Sequence, residues 1–192
     1  MNSTALIKVW DLPLRIFHWL LVVSFFVAYL TEEELLPVHV WAGYIVLGLL
    51  VFRLIWGFVG NEYARFANFL CSPLQSYTYT KEAIELKAKR YLGHNPAGAA
   101  MIVLLMLSLL LTVISGLIVY AADQHLGPLA GMVGASNEKL WEELHEFAAN
   151  FTLLLVIVHV LGVVVEGFVH GENLVKAMWN GYKKSDTPDA GK

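Results

Sequence analysis

Four long apolar blocks constrain the fold of this chain more strongly than any other feature of its sequence. A helix needs about 20 predominantly apolar residues to cross the hydrocarbon core of a bilayer, and each block reaches or nearly reaches that length. The blocks span residues 14–30, 38–59, 97–122 and 147–169. Hydrophobic residues make up 57% of the 192 residues and charged residues only 15%, which excludes an ordinary soluble domain of this size. The sequence therefore predicts an all-α membrane protein with a bundle of four transmembrane helices.

The segments outside the blocks predict a single domain. Residues 1–180 are expected to form one transmembrane domain, followed by a flexible polar tail over residues 181–192. The first block is not expected to be a cleaved signal peptide, because the acidic run that ends it offers no small-residue cleavage pattern. In the long loop 60–96, residues 73–91 combine mixed charge with helical propensity, which predicts an amphipathic helix on the membrane surface.

The distribution of Lys and Arg predicts the orientation of the chain. With four spans, both termini and the loop 60–96 share one side of the membrane. That side, with the adjoining half of the second span, holds twelve of the thirteen basic residues, whereas the other side holds only Lys139. Because basic segments stay in the cytoplasm, we expect a multi-pass protein of the bacterial inner membrane with both termini cytoplasmic. The outer face is acidic, which favours a basic partner protein.

Four histidines lie within or at the ends of the spans and match in depth. His145 and His159 are fourteen residues apart on the fourth helix, which corresponds to about 21 Å of rise and about 40° less than four full turns. They therefore share one face, near opposite membrane surfaces. Threading the remaining spans places His39 at the depth of His145 near the outer surface, and His18 at the depth of His159 near the inner surface.

Histidine pairs that face each other inside a helical bundle predict bis-imidazole haem ligation. A haem iron accepts one neutral imidazole on each axial side, and the porphyrin fills the gap between helices. A lone intramembrane histidine is more often a hydrogen-bonded polar residue of the bundle, but four that match in depth favour haem. A zinc or copper site is disfavoured, because carboxylate and cysteine partners are lacking. We predict two haems with these metal ligands: His39 and His145 for the outer, His18 and His159 for the inner.

The chain has a single cysteine, Cys71, and therefore no intramolecular disulfide and no Cys-pair metal site is expected. There is also no CxxCH motif, and so the haem is not expected to be covalently attached.

Three glycines are candidates for close approach of a flat ring. Gly43 comes four residues after His39 and Gly162 three residues after His159, so each lies on or near its ligand's face. Gly116 in the third span could serve in the same way. The alternative for each is helix packing through small residues.

Basic residues near the inner histidines are candidates for binding the haem propionates. Arg53 comes fourteen residues after His39, hence on nearly the same face and at the depth of the inner pair. The alternative role for Arg53 is a snorkelling anchor at the membrane surface. Arg15 is a further propionate candidate, but for Arg15 the snorkelling anchor is the favoured interpretation. Arg90 is a further propionate candidate. His94, just before the third span, could contact a propionate or a quinone, although a solvated loop histidine is the simpler interpretation.

Short motifs surround these residues: RIFHW at 15–19, HVWAG at 39–43, VFRL at 51–54, LHE at 144–146 and VH at 158–159. In this order and spacing they resemble the bacterial cytochrome b561 family and the cytochrome b subunits of nickel–iron hydrogenases and formate dehydrogenases. The resemblance covers about residues 8–180 and implies a four-helix bundle with two b-type haems, ligated by the same histidine pairs. The YLGHNP stretch at 91–96 is similar to members encoded near periplasmic c-type cytochromes.

Two haems stacked across a bilayer predict electron transport. Both irons would be six-coordinate, which leaves no position open for oxygen. We expect transfer between a membrane quinone, ubiquinone or menaquinone, and a periplasmic c-type cytochrome or hydrogenase-like protein. The alternative is a self-contained superoxide:quinone oxidoreductase, as among some b561 relatives. The outer face offers only Lys139 to attract the superoxide anion, which counts against this alternative. A non-redox channel or scaffold is the third class. Lipid and quinone are expected partners and a homodimer is open, whereas no feature predicts nucleic-acid binding.

Overall fold

The computed structural model describes residues 6–32, 34–133 and 137–185, and within them the fold is helical with one small sheet. The helices are α1 (Leu12–Thr31), α2 (Leu36–Val59), α3 (Phe66–Phe69), α4 (Pro73–Ile84), α5 (Pro96–Asp123), α6 (Glu138–His170) and α7 (Leu174–Asn180). Strands β1 (Leu6–Lys8) and β2 (Tyr182–Lys184) pair antiparallel. Helices α1, α2, α5 and α6 are long and apolar enough to cross a membrane. The prediction of an all-α protein with four spans is confirmed.

Side chains at the starts of two spans satisfy backbone N–H groups that have no partner within the helix. Asp11 Oδ1 accepts from Leu14 N at 2.9 Å before α1, and Asn95 Oδ1 accepts from Gly98 N at 2.7 Å before α5. Pro96 takes the first position of α5, where its missing N–H costs nothing. These polar caps fix where the apolar segments begin.

The chain divides into two compact units, and each of the four long helices passes from one unit to the other. Unit 1 comprises residues 1–19, 52–103 and 157–192, and unit 2 comprises residues 20–51 and 104–156.

Unit 2 has a continuous apolar core supplemented by hydroxyl groups. Its buried side chains include Phe25, Val46, Leu50, Leu109 and Val113. Hydroxyl groups also join α5 to α6. The hydroxyl of Thr152 on α6 lies 2.6 Å from that of Ser108 and 3.3 Å from that of Thr112, both on α5. Each buried hydroxyl therefore has a partner in an apolar environment where an unpaired one would be costly.

In unit 1 the N-terminal lead and the C-terminal segment are joined. Beyond the β1–β2 pairing, Val9 N donates to Gly181 O at 2.8 Å, and Asn61 Nδ2 donates to Val9 O at 3.2 Å. Gly181 has a φ of 90°, and a Cβ there would lie 2.5 Å from Trp10 O. Glycine is therefore required at the point where the chain turns into β2.

A buried ion cluster holds this joined region together. Arg90 binds the carboxylate of Glu172 and donates to Lys184 O at 2.6 Å. Lys183 Nζ lies 3.5 Å from Glu172 Oε2 and donates to Tyr91 O at 3.2 Å. Burial lowers the pKa of Lys183, while the Glu172 carboxylate acts in the opposite direction. The cluster engages the Arg90 guanidinium with protein groups, which argues against its candidacy for a propionate.

Part of the segment expected to form a polar tail thus belongs to unit 1. Strand β2 lies within residues 181–192, and Lys183 is buried. The remainder of the expected tail, from residue 186, lies outside the described residues.

The surface helix predicted for residues 73–91 is present but shorter. Helix α4 ends at Ile84, and Leu86 has a φ of 58°, which an α-helix cannot continue through. Leu74 and Tyr77 are exposed, as expected of a helix at a membrane surface. On its buried side the Tyr79 hydroxyl lies 2.9 Å from Glu166 Oε1 and from Lys89 O. The carboxylate and burial both raise the pKa of Tyr79, burial being the larger cause.

Candidate haem sites

Each unit holds one pair of facing histidines. In unit 1, His18 of α1 and His159 of α6 have ring centroids 6.5 Å apart, with their planes at 54°. In unit 2, His39 of α2 and His145 of α6 have ring centroids 5.9 Å apart, with their planes at 82°. The structure therefore brings together the pairs expected from depth, and α6 contributes one member of each.

The ring separations suit one metal ion bound by both imidazoles. Metal–imidazole nitrogen bonds are about 2 Å long, and adding roughly 1 Å from nitrogen to ring centre on each side gives a separation of roughly 6 Å. Both observed distances lie close to that value. Among residues 6–32, 34–133 and 137–185, no three His, Cys, Asp or Glu side chains converge on a metal ion. Each pair therefore suits an ion whose other positions are filled by a non-protein ligand, as the porphyrin of a haem does.

In unit 2 both histidines have one ring nitrogen held by a helix carbonyl. His39 Nδ1 lies 2.9 Å from Ala28 O of α1, and His145 Nδ1 lies 2.8 Å from Thr112 O of α5. Because a carbonyl can only accept, each Nδ1 carries a proton, which in the neutral imidazole leaves the lone pair on Nε2. This is the tautomer that binds a metal through Nε2, and metal-bound histidines commonly make such a second hydrogen bond.

The two carbonyl acceptors are functional groups that the sequence did not reveal. Ala28 and Thr112 act through their main chain, and a main-chain carbonyl leaves no trace in residue identity. No signal in the sequence could have singled them out.

The three candidate glycines fall into two kinds. Nothing lies within 4 Å of the position that a Cβ would take at Gly43 or Gly162, so open space remains near His39 and His159 where a flat ring could lie. At Gly116 a Cβ would instead lie 2.7 Å from Cε1 of His145. Gly116 therefore makes room for the imidazole ring itself.

Unpartnered polar nitrogens are concentrated in unit 1. All the buried side-chain nitrogens without a hydrogen-bond partner, among the residues described, belong to this unit. They include His18 Nδ1, Trp19 Nε1 and Arg15 Nε. The Arg15 guanidinium also donates to Trp179 O, so part of this side chain is engaged by the protein. Buried donors without acceptors are costly, so these nitrogens fit a site in unit 1 for a polar group that is not part of the chain.

Among the residues with buried, unpartnered nitrogens, Arg53 is the strongest candidate for contact with a bound polar group. Its side chain is buried, with the guanidinium 4.6 Å from the centre of the Phe66 ring and 5.8 Å from that of Phe69. Both terminal nitrogens, Nη1 and Nη2, are buried without a hydrogen-bond partner. A carboxylate could accept from both at once. This burial argues against a snorkelling anchor and fits the predicted contact with a haem propionate.

His94 lies in an aromatic environment rather than in solvent. Its ring centroid is 4.6 Å from that of Trp10 and 4.6 Å from that of Phe69, and its Nδ1 is buried without a partner. Burial, reinforced by the positive charges of Arg53 and Lys183, lowers the pKa of His94 to about 3. These contacts argue against the solvated-loop interpretation, and the lowered pKa favours a neutral imidazole for His94 at physiological pH.

Comparison with known proteins gives one family and several relatives. The model of the family described as prokaryotic cytochrome b561 matches residues 9–181. A probable Ni/Fe-hydrogenase B-type cytochrome subunit of Azotobacter vinelandii is 27% identical over 230 aligned positions, which cover 98% of this chain and 94% of that protein. Proteins of the same description from Azotobacter chroococcum mcd 1 and Bradyrhizobium diazoefficiens are 26% and 24% identical, covering 98% and 93% of this chain and 94% and 86% of those proteins. No solved structure matches significantly.

Proposed function

Because the chain belongs to the prokaryotic cytochrome b561 family, we propose that it carries electrons across a membrane through two haem b groups. His18 and His159 hold one haem, and His39 and His145 hold the other. The observation that carries this proposal is the ring separation of 6.5 and 5.9 Å in the two pairs. When bound, each haem supplies one-electron chemistry through its iron.

The protein's own groups determine what the sites can do. Two imidazoles for each haem would leave no position open for a small ligand, which favours electron transfer over ligand binding. In the His39–His145 pair, the helix carbonyls fix the ring tautomers. In the unit that holds the other pair, Arg53 offers two unpartnered donors for a propionate, and His94 belongs to the same unit.

The termini are proposed to lie in the cytoplasm. The loops that join α1 to α2 and α5 to α6 are proposed to lie in the periplasm. Among the residues that the structure describes, every Lys and Arg except Lys139 belongs to unit 1, as the retention of basic segments in the cytoplasm would require. The described acidic side chains of unit 2 that are exposed are those of Glu32, Glu34, Asp123, Glu142, Glu143 and Glu146.

The electron donor and acceptor are proposed to be a periplasmic redox protein and a membrane quinone. Several relatives are described as B-type cytochrome subunits of Ni/Fe hydrogenases, and this favours a hydrogenase over a c-type cytochrome as the periplasmic partner. The exposed carboxylates of unit 2 suit a partner with a basic docking face.

The test is haem content and its loss in histidine variants. The purified protein should contain two non-covalent haems b per chain, and dithionite should give a reduced α-band with two components. His39→Ala and His145→Ala should each remove the same component, whereas His18→Ala and His159→Ala should each remove the other. Absence of haem, or loss of different components within one pair, would contradict the proposal.

A second measurement tests the partners. In vesicles containing the protein and a quinone, haem reduction should follow the addition of H₂ with hydrogenase, and quinone should reoxidise the haems. Reduction by superoxide alone, without a protein donor, would support a superoxide:quinone oxidoreductase instead.

A further inference from the structure

Helix α5 is the one long helix that contributes no histidine, yet two of its oxygens lie within hydrogen-bond distance of the His145 ring and one of its glycines faces that ring. We propose that Thr112, Ser115 and Gly116 are positioning residues that fix the tautomer and orientation of this ligand. The proposal rests on the assignment of His39 and His145 as haem ligands.

The three positions form one surface of α5. Residues spaced by three and four positions are neighbours on the same helix face, and here that face meets the imidazole. Thr112 supplies its carbonyl at 2.8 Å from Nδ1, and Ser115 supplies its hydroxyl at 3.3 Å from the same atom. The two acceptors converge on a single ring nitrogen.

The hydroxyl of Ser115 is itself oriented to accept. Ser115 is fully buried, and its Oγ donates its hydrogen to the carbonyl of Leu111 at 2.8 Å or of Thr112 at 3.0 Å. With that hydrogen used, an oxygen lone pair remains for the Nδ1–H of His145. The proton is thereby kept on Nδ1, and Nε2 stays free for iron.

Gly116 defines how close the ring can come. A Cβ at this position would lie 2.7 Å from Cε1 and 3.0 Å from Nδ1 of His145, both shorter than van der Waals contact. An alanine would therefore push the ring away from the two acceptors. The ring is a ligand and cannot move without changing its bond to the iron.

Nearby hydrogen bonds oppose a compensating shift of the helices. Thr152 lies two turns after His145 on α6, is fully buried, and contacts Ser108 and Thr112 of α5 through hydroxyl groups at 2.6 and 3.3 Å. Any sliding of α5 along α6 would break these bonds.

The experiment compares Gly116→Ala with Gly48→Ala. Gly48 lies on α2, is exposed, has nothing within 4 Å of its Cβ position and is nine residues, or about half a turn in net rotation, from His39. Haem content, low-temperature EPR of the ferric haems and redox titration are measured on both purified variants. The haem assigned to His39 and His145 is identified as the component missing in His39→Ala.

Gly116→Ala should lose that haem, lowering haem content by about half, or retain it with a shifted EPR signal and midpoint potential. Ser115→Ala should retain both haems but shift the EPR signal and potential of the same one. The other haem and the Gly48→Ala variant should be unchanged. Unaltered spectra and potentials in Gly116→Ala would overturn the proposal. Loss of both haems would also overturn it, because a positioning contact acts on one ligand. A wild-type protein without haem would instead refute the proposed function.

Discussion

Replacing Glu172 with glutamine should destabilise the protein far more than a similar change at a surface ion pair. Glu172→Gln keeps the side-chain shape but removes the carboxylate that Arg90 and Lys183 share. Both cationic side chains are only 6% exposed, and the carboxylate they share is 11% exposed. Two unit charges 3.5 Å apart, as Lys183 and Glu172 are, attract each other by about 5 kcal/mol at an effective dielectric constant of about 20.

Desolvation of the ions opposes that attraction, but removing one partner leaves the desolvation of the others in place. Breaking a buried ion pair in this way typically costs about 3–5 kcal/mol. For a chain of this size about 1 kcal/mol lowers the melting temperature by about 2–4 °C, so we expect a decrease of about 6–20 °C. The assay is thermal unfolding of the protein in detergent, followed by intrinsic tryptophan fluorescence.

Glu85→Gln is the matched control. Glu85 pairs with Lys87 at 3.1 Å, but these side chains are 43% and 73% exposed. Solvent-exposed pairs contribute about 0–1 kcal/mol, so the control should lower the melting temperature by at most about 4 °C. Equal decreases in the two variants would show that the cluster of Arg90, Glu172 and Lys183 is solvated in the protein, and would refute this reasoning.

Three further predictions concern unit 1. Arg53→Leu should lower the midpoint potential of the haem assigned to His18 and His159 by about 50–100 mV, about 59 mV being a tenfold change for one electron. Redox titration measures it, and an unchanged potential would place the guanidinium away from that haem. The pKa of His94 is about 3 in the folded protein, against an ordinary value of 6.5. Between these two pH values the unfolded chain binds a proton that the folded chain does not, so the stability of the fold should decrease as the pH drops from about 6.5 toward 3. His94→Gln should flatten that decline in a melting-temperature series, and a slope identical to wild type would show that another group is responsible. Gly181→Ala should lower the melting temperature, because its φ of 90° and the 2.5 Å approach to a carbonyl leave no room for a methyl group.

The spans and the histidine pairs could be predicted from the sequence because both follow from simple geometry. Bilayer thickness sets the length of an apolar block, and helix rise converts the interval between His145 and His159 into depth. The same geometry then selected His39 for one and His18 for the other, and the structure places those rings together.

What the sequence could not reveal depends on main-chain groups and on contacts between distant segments. The carbonyls of Ala28 and Thr112 have no side-chain signature. Strands β1 and β2 are three residues each, too short for an alternation pattern to be recognised. His94 looked like a loop residue because only the folded chain brings Trp10 and Phe69 against it.

The contribution of α6 to both histidine pairs has a consequence for biogenesis. When α1 and α2 have entered the membrane, the nascent chain contains His18 and His39, which supply only one of the two proposed imidazole ligands at each haem site. In the proposed arrangement neither haem can gain its second imidazole until Glu138–His170, the last long helix, has left the ribosome and inserted. Haem loading of both sites should therefore be a late and nearly simultaneous event, and a chain arrested before residue 138 would hold neither haem by two ligands.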